Sequence, residues 1–470
     1  MIHFILNDRE VSTAASPAGT LLDFIRYEKQ LKGTKIGCRE GDCGACSILV
    51  GNLQEGKVEY SGATSCLMPL ANANGKHIVT IEGVNGEGLT PVQEAFAKEG
   101  ATQCGFCTPG FIMSLTGFCL GEVQPTHTHA IDAMNGNICR CTGYKSIQRA
   151  AGHVSDLMQT CQGKNTLQFA MEQGIVPAYF REIPERLLAM RENLEAPVAQ
   201  RGKLTRMGGG TDLYVQRHDT ITHETVDFLY DDKSLKYIRV TDNLCELGAA
   251  VTVTDIADSA VFQKVFPSLS EHIRLVSSMP IRNMATLAGN FVNASPIGDF
   301  TIFFQALAAR LLLSDGDQER EVALKDFYKG YKQLDRRPEE FVKAIRFELP
   351  LAGDLFNFEK VSKRTHLDIA SVNSAIQLRL REDVIENAFV SAGGVGPVPM
   401  FLAKSSEFLK GRKISASLVL ELIAIAQTEI APISDARGSA DYKRLLLGQL
   451  IKAHFIKLFP ELPVKMLLES

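Results

Sequence analysis

The placement of cysteine constrains this chain more than any other feature. There are eleven, and eight fall between Cys38 and Cys141 in two tight groups. An odd total leaves one thiol over in any full set of disulfides, and tight clustering favours metal ligation. The first group, Cys38, Cys43, Cys46 and Cys66, has the spacing C-x4-C-x2-C-x19-C. That is the plant-type 2Fe–2S pattern, in which a loop wraps a small cluster with three thiolates and a neighbouring strand end supplies the fourth. Gly37, Gly41 and Gly44 have no Cβ, so the backbone can approach such a cluster and adopt positive φ. Exposed N–H groups in the loop can donate to cluster sulfides and raise the potential. Structural zinc prefers two well-separated C-x2-4-C pairs on tetrahedral corners, which the x4, x2 triplet fits badly.

The second group is Cys104, Cys107, Cys139 and Cys141, a C-x2-C followed after 31 residues by C-x-C. Each half precedes an expected helix, where the partial positive charge of the N-terminus favours thiolates. Taken alone, this spacing suits zinc as well as iron. Beside the first group it reads as a second 2Fe–2S centre. Cys119, Cys161 and Cys245 have no partner at ligand spacing and read as ordinary thiols, Cys119 in the core. His127 and His129 read as surface or capping residues.

Local patterning places these groups in two small domains. Strands are expected at Ile2 to Leu6, Arg9 to Ser12, Ser47 to Val50, Val58 to Ser61 and His77 to Ile81. Leu21, Leu22 and Ile25 form the apolar stripe of one short helix. From residue 90 the period becomes helical. Thr90, Pro91 and Gln93 make a capping box, and Thr108-Pro109 repeats the cap-then-proline signal before a helix that stops at Gly121. Further helices are expected from about His129 to Met134 and from near Tyr144, with Ile147, Ala151, Val154 and Leu157 on one face. Residues 161–177 are polar and read as a linker. A larger α/β region follows over 178–352, with strands near Leu247 to Val253 and a long helix around residue 305. A last α+β unit occupies 353–470.

Composition excludes several classes. The net charge is −4, which offers no basic excess to hold a phosphate backbone, so nucleic acid is not an expected partner. The most apolar stretch, Phe300 to Leu313, contains Gln305 and Arg310 and is too short to span a bilayer. It reads as a buried helix, and no membrane association is expected. The N-terminus lacks a signal-peptide pattern, so a cytoplasmic location is expected.

In the α/β region, residues 203–207 form an expected strand that runs into Gly208-Gly209-Gly210-Thr211-Asp212-Leu213. Such a turn can aim backbone N–H groups at a pyrophosphate. It is not G-x-G-x-x-G, and no clear βαβ unit is legible after it, so a Rossmann site is disfavoured. Residues 285–299 mix small residues with hydroxyl, amide and carboxylate groups, which suits phosphate and ribityl contacts.

The cysteine motifs at 38–46, 104–111 and 139–144 together resemble the iron–sulfur part of the molybdenum hydroxylases. That family includes xanthine dehydrogenase, aldehyde oxidase and carbon monoxide dehydrogenase. The resemblance implies a multidomain α+β chain. Residues 1–85 would be a β-grasp, ferredoxin-like 2Fe–2S domain and 86–160 a four-helix 2Fe–2S domain. A vanillyl-alcohol-oxidase-like FAD domain would occupy 178–352, and a C-terminal flavoprotein domain 353–470. The glycine turn, the 285–299 segment and the stretch 360–370 are similar to the family's flavin-binding elements. By that carry-over Arg206, Met207, Gly208, Gly209, Gly210, Thr211, Asp212, Leu213 and Thr286 hold the pyrophosphate region, with Gly289, Asn290 and Ser295 in the same segment. Asp299 holds sugar or ribityl hydroxyls, Lys360 lies near the isoalloxazine, and Val276 is a further flavin contact.

The order cluster, cluster, flavin on one chain resembles the small-subunit type of bacterial xanthine dehydrogenases. This implies an electron-transfer subunit with two 2Fe–2S clusters and FAD. A separate large subunit with a molybdenum–pterin cofactor would oxidise hypoxanthine or xanthine to urate, in a dimer of heterodimers. Electrons would go from molybdenum through the 104–141 and 38–66 clusters to FAD and then to NAD⁺. No catalytic residue for purine hydroxylation is expected on this chain. The alternatives are the same role in an aldehyde or N-heterocycle hydroxylase, a stand-alone iron–sulfur flavoprotein carrier, and a zinc-stabilised binding protein.

Overall fold

The computed structural model describes residues 1–192, 204–364 and 368–468. These form two compact units: Met1–Phe228 with Ser278–Ala285, and Leu229–Ser277 with Thr286–Ser470.

The first unit opens with a mixed five-stranded sheet. Its order is Arg9–Thr13, Ile2–Leu6, His77–Val79, Ser47–Gln54, Lys57–Thr64. Ile2–Leu6 and His77–Val79 pair in parallel and the other neighbours are antiparallel. The short helix Leu21–Asp23 continues into a wider turn, Phe24–Glu28, and buries Leu21, Leu22 and Ile25 in one core with Phe4, Ile48 and Ile78. This is the β-grasp arrangement. The strand expected to reach Ile81 ends at Val79, because Ile81–Val84 turns into helix.

Four helices follow: Pro91–Lys98, Thr108–Leu120, His127–Ala133 and Lys145–Gln159. Thr90 and Gln93 form the expected capping box. The second helix takes Cys107 as its N-cap residue, so Thr108 is its first residue and caps nothing. The third begins earlier than expected, capped by Thr126 through the His129 N–H. Thr108–Leu120 is buried on nearly all sides, as an apolar central helix must be. Residues 161–177 differ from the linker expectation. They contain the helix Thr166–Glu172, and Phe169, Ala170, Ile175 and Val176 enter the helical core. Four apolar side chains among polar ones are enough to dock a short amphipathic segment. The following helix, Ile183–Glu192, buries Ile183 and Leu187 against Ile5 and Val58 of the first sheet.

Thr205–Met207, the helix Leu213–Ile221 and Val226–Phe228 form a minimal βαβ unit, since the two strands pair in parallel. The sequence reading found no such unit, because three-residue strands carry almost no periodicity. Lys203 lies outside the described residues.

The second unit holds two sheets. One is antiparallel, in the order Glu319–Ala323, Arg310–Ser314, Phe341–Glu348, Leu244–Gly248, Ile238–Thr241. The strand expected to reach Val253 ends at Gly248, and Thr252 caps the helix Val253–Asp258. The apolar run 300–313 is split. Helix Asp299–Ala306 ends, Ala308 takes a φ of 51°, and Arg310–Ser314 continues as a buried strand. Continuous hydrophobicity fits either a buried helix or a central strand, so periodicity alone could not find the break. The second sheet, Leu355–Val361, Val372–Arg381, Val384–Gly393, Met400–Phe401, shares a core with the helices Ala403–Leu409, Ala416–Glu429 and Ala440–Leu458. Among the described residues no helix is long and apolar enough to cross a membrane.

Candidate functional site

The loop that carries Cys38, Cys43 and Cys46 enters the buried strand Ser47–Gln54, and Cys66 sits in the turn Ser65–Leu67 that ends the neighbouring strand. Antiparallel pairing of Ser47 with Thr64 therefore brings a distant cysteine beside the other three. The thiols gather as two pairs. Cys38 contacts Cys43, and Cys46 contacts Cys66. Three glycines make the loop's path possible. A Cβ on Gly37 would lie 2.6 Å from the Cys43 sulfur. Gly41 and Gly44 have φ of +78° and +65°, and a Cβ on Gly44 would lie 2.4 Å from the Gly136 carbonyl oxygen. The N–H groups of Cys38 and Glu40 point at sulfur, at 3.4 Å from Cys43 Sγ and 3.3 Å from Cys38 Sγ.

The second group has the same paired character. Cys104 and Cys141 are exposed, with sulfurs 3.6 Å apart. Cys107 contacts Cys139. Each pair takes one thiol from C-x2-C and one from C-x-C. Cys107 begins the helix Thr108–Leu120, and Cys139 and Cys141 precede Lys145–Gln159, whose start at Tyr144 has a φ of 69°. Thr142 donates its hydroxyl and N–H to Cys139 Sγ at 3.1 and 3.4 Å, and the Tyr144 hydroxyl accepts from the Cys139 N–H at 3.0 Å.

In three of these pairs one sulfur carries the proton that the other gives up. The Cys43 thiol draws Cys38 down to about 5 against burial, with N–H groups of Glu40, Asp42 and Cys43 helping, and the same contact raises Cys43. Cys46 is lowered by Cys66, which is raised in turn. Burial, then Cys139, pushes Cys107 up to about 12. Burial also opposes the Cys139 thiolate, yet the Thr142 donors leave it lowered. Metal binding displaces such shared protons. Among the described residues no three Cys, His, Asp or Glu side chains close on a single ion position. Two pairs of thiols, with N–H groups aimed at sulfur, are a donor set that fits a two-iron core.

The two sites are joined through the backbone. The Ile138 N–H donates to the Cys43 carbonyl at 3.0 Å, and Ile138 is bonded to Cys139. Asn137 is 6% exposed; it donates to the Gly44 carbonyl at 3.0 Å and accepts from the Ser114 hydroxyl at 2.7 Å. A Cβ on Gly110 would lie 2.2 Å from the Gly44 oxygen, so glycine lets the central helix reach the loop. The segment Ser278–Ala285 also packs in this unit, with Ile281 over Gly41 and the Asn283 amide donating to the Gly62 carbonyl at 2.8 Å. Sequence reasoning missed Asn137 and this segment, because neither has a local signature.

The candidate flavin residues divide between the two units. Arg206 to Leu213 lie in the first. Arg206 Nε is 3.6 Å from Asp227, across the parallel strand pair. Met207 is buried, the turn 208–210 follows, and Thr211 and Asp212 precede Leu213, the first residue of its helix. A Cβ on Gly209 would lie 1.8 Å from the Met284 oxygen, and Gly210 has a φ of +84°. This tight, side-chain-free turn is suited to backbone contact with phosphate.

The remaining candidates lie in the second unit. Thr286 is buried and caps Leu287–Asn293 by accepting from the Gly289 N–H at 3.2 Å; the exposed Gly289 and half-buried Asn290 follow. Asn290 Oδ1 accepts from Thr301 at 3.3 Å, and the Ser295 hydroxyl accepts from the Ile297 N–H at 3.4 Å. Asp299 accepts from Lys360 Nζ at 2.7 Å and from Asn373 Nδ2 at 2.6 Å. The Lys360 side chain is 2% exposed and also donates to the Leu275 carbonyl at 2.7 Å. Val276 and Asp299 line one small pocket with His272, Phe300 and Phe358. Asn373 was not found from sequence; its Oδ1 is buried without a hydrogen-bond partner. An orphaned amide oxygen beside a buried Lys–Asp pair fits a polar ligand better than a closed core. Residues 365–367 of the stretch 360–370 lie outside the described residues.

Comparison with known proteins gives the same order of parts. Residues 4–71 match the 2Fe-2S iron-sulfur cluster binding domain, and 80–152 the [2Fe-2S] binding domain. Residues 185–351 match the FAD binding domain in molybdopterin dehydrogenase, and 358–458 the CO dehydrogenase flavoprotein C-terminal domain. The chain is 28% identical to xanthine dehydrogenase of Emericella nidulans, over 95% of this chain and 38% of that protein. It is 26% identical to aldehyde oxidase 1 of Bos taurus, over 97% and 39%. The chain thus spans less than two-fifths of the length of these relatives. The solved structure of a Cu,Mo-CO dehydrogenase aligns with a TM-score of 0.50 at 26% identity, over 53% of this chain and 87% of that one. Quinoline 2-oxidoreductase from Pseudomonas putida 86 shares the fold, with a TM-score of 0.50 at 21% identity over 55% and 89%. The chain therefore consists of two 2Fe–2S-type domains, an FAD-binding domain and a C-terminal flavoprotein domain, homologous to those of xanthine dehydrogenases and aldehyde oxidases.

Proposed function

We propose that this chain is the iron–sulfur and FAD electron-transfer subunit of an NAD⁺-dependent xanthine dehydrogenase, working in the cytoplasm. The observation that carries the electron-transfer role is the pairing of eight cysteines in two tandem domains, directly before a matched FAD-binding domain. Cys38 and Cys43 would hold one iron and Cys46 and Cys66 the other. In the second centre the pairs are Cys104 with Cys141 and Cys107 with Cys139. The turn 206–213, Thr286, Gly289, Asn290, Ser295, Asp299, Lys360 and Val276 would hold FAD. When bound, the clusters supply one-electron steps and the flavin a two-electron exchange, which together can couple substrate oxidation to reduction of NAD⁺.

This chain's own part is positioning. Backbone N–H groups and glycines bring protein close to sulfur, and the Ile138–Cys43 hydrogen bond fixes one site against the other. The matched FAD domain is of the molybdopterin dehydrogenase type, and the proposal puts the molybdenum–pterin cofactor on a separate large subunit, in a dimer of heterodimers. Xanthine rests on the order of domains and on the similarity to xanthine dehydrogenase. The comparable similarity to aldehyde oxidase supports a second reading, the same role with an aldehyde or N-heterocycle as substrate.

The test uses the native complex, purified without oxygen. Xanthine should bleach the iron–sulfur and flavin bands, and excess NAD⁺ should restore them with formation of NADH. Bleaching by an aldehyde or another heterocycle, and not by xanthine, would refute the substrate while keeping the electron-transfer role.

A further inference from the structure

The segment Ser278–Ala285 packs in the first unit, although residues 229–277 before it belong to the second. It is pinned at several points. The Met279 N–H donates to Asn135 Oδ1 at 3.4 Å, and a Cβ on Gly136 would lie 3.1 Å from Pro280 Cδ and from Ser278 Cβ. These contacts fall just ahead of Cys139. The Asn283 amide holds the Gly62 carbonyl, in the strand that leads into the turn with Cys66. Met284 closes on Gly209 of the glycine turn. With both ends of the segment fixed, the side chain at its middle is fixed too.

That side chain is Ile281. A Cβ built on Gly41 would lie 2.7 Å from Ile281 Cδ1 and 2.7 Å from Leu67 Cδ1. Gly41 lies inside the loop from Cys38 to Cys43, and its N–H donates to the Cys66 sulfur. Its neighbours Glu40 and Asp42 are exposed, yet Gly41 is buried. Two apolar side chains thus cover the loop at this point. Leu67 is buried, whereas Ile281 is half-buried and forms the outer part of the cover. Ile281 also packs against the core that contains Cys46 and Cys66. The second cysteine group differs. Cys104 and Cys141 are exposed, and a Cβ on Gly105 or Gly143 would meet nothing within 4 Å.

We infer that Ile281, delivered by the segment Ser278–Ala285, shuts water out of the 38–66 site and so holds the reduction potential of that centre down. This rests on the iron–sulfur reading above. A 2Fe–2S core with four thiolates is already negative when oxidised, and reduction adds one more negative charge. An apolar cover disfavours the added charge, because an ion loses solvation where water is excluded. The apolar shell and solvent exposure are among the terms that set such potentials.

The experiment is a redox titration of the holoprotein followed by electron paramagnetic resonance. The 38–66 signal is identified as the one that Cys43→Ser removes. Ile281→Ala opens the cover and should make reduction of that centre about ten-fold more favourable, an upward shift of about 59 mV for one electron. Ile281→Val, the milder cut, should shift it the same way by less, and it carries the test if the alanine variant loses its cluster. Ile281→Leu, which keeps the volume, should stay near the wild type. Leu187→Ala removes a buried side chain from a separate core of the same unit and should move neither midpoint. In deuterated water, pulsed resonance should find added exchangeable deuterons near the 38–66 centre of the opened variant, and none added near the 104–141 centre. A midpoint that stays in place or falls in both Ile281→Ala and Ile281→Val would overturn the inference. So would equal shifts in both centres, an equal shift in Leu187→Ala, or a shift without added deuterons. Absence of any 2Fe–2S signal in the wild type would overturn the reading beneath it instead.

Discussion

Acidification to pH 5.0 should destabilise the first unit through one buried imidazole, His77, and the size of the effect can be worked from its surroundings. The side chain is fully buried. Tyr60, Tyr179 and Phe180 surround the ring, with centroids 5.3 to 6.0 Å away. Its Nε2 is 2.9 Å from the Asn7 carbonyl, which can only accept, so Nε2 carries the hydrogen. Nδ1 then accepts from the Tyr60 hydroxyl at 2.8 Å. Both nitrogens are satisfied in the neutral form. Burial pushes the pKa down to about 3, and the Arg186 charge adds to this against the Asn7 carbonyl. The unfolded chain binds a proton below its ordinary value near 6.5, and the folded chain does not. The contribution is thus whole above pH 6.5 and is lost as the pH falls from there towards 3. At pH 5.0 the unfolded state gains about 1.5 pH units of proton binding, at about 1.4 kcal/mol each, so the loss is about 2 kcal/mol. Urea unfolding followed by far-ultraviolet circular dichroism at pH 7.5 and 5.0 measures it. His77→Gln is the reference, because cluster lability in acid affects both proteins alike. The wild type should lose about 2 kcal/mol more than the variant. Equal losses would refute the assignment of a buried neutral imidazole.

Cys43→Ser should remove one 2Fe–2S signal and Cys107→Ser the other, each with flavin retained. Loss of both signals in a folded single variant would sink the pairing of cysteines. Lys360→Met leaves Asp299, whose side chain is 14% exposed, with the Asn373 amide still donating to it. Breaking a buried pair on one side costs about 3–5 kcal/mol. Thermal unfolding should show that loss, and Lys360→Met with Asp299→Asn should recover much of it; a double variant no better than the single would remove the charge argument.

Much of the first unit is legible in sequence because its signals are local. The capping box at Thr90 and the proline in the first turn of the helix Thr108–Leu120 need only neighbouring residues, and both are present. Ligand spacing is similarly local for Cys38, Cys43 and Cys46. The second unit is less legible. Its sheet buries apolar strands on the central positions, so 300–313 reads as one element when it is two. The helix in 166–172 was lost for the opposite reason, since its few apolar residues sit among polar ones.

The chain's composition and spacing alone therefore determined which atoms are available: eight thiols in two sets, glycines where a loop must pass close, and a net charge unsuited to nucleic acid. Tertiary structure decided which thiol faces which, because strand pairing and helix packing act across long separations. It set Cys66 beside Cys46, tied Ile138 to Cys43, and aimed Arg39 between Asp23 and His218. Those contacts join residues up to 179 positions apart. No local pattern encodes them, since they form only when burial of separate apolar faces brings their backbones together.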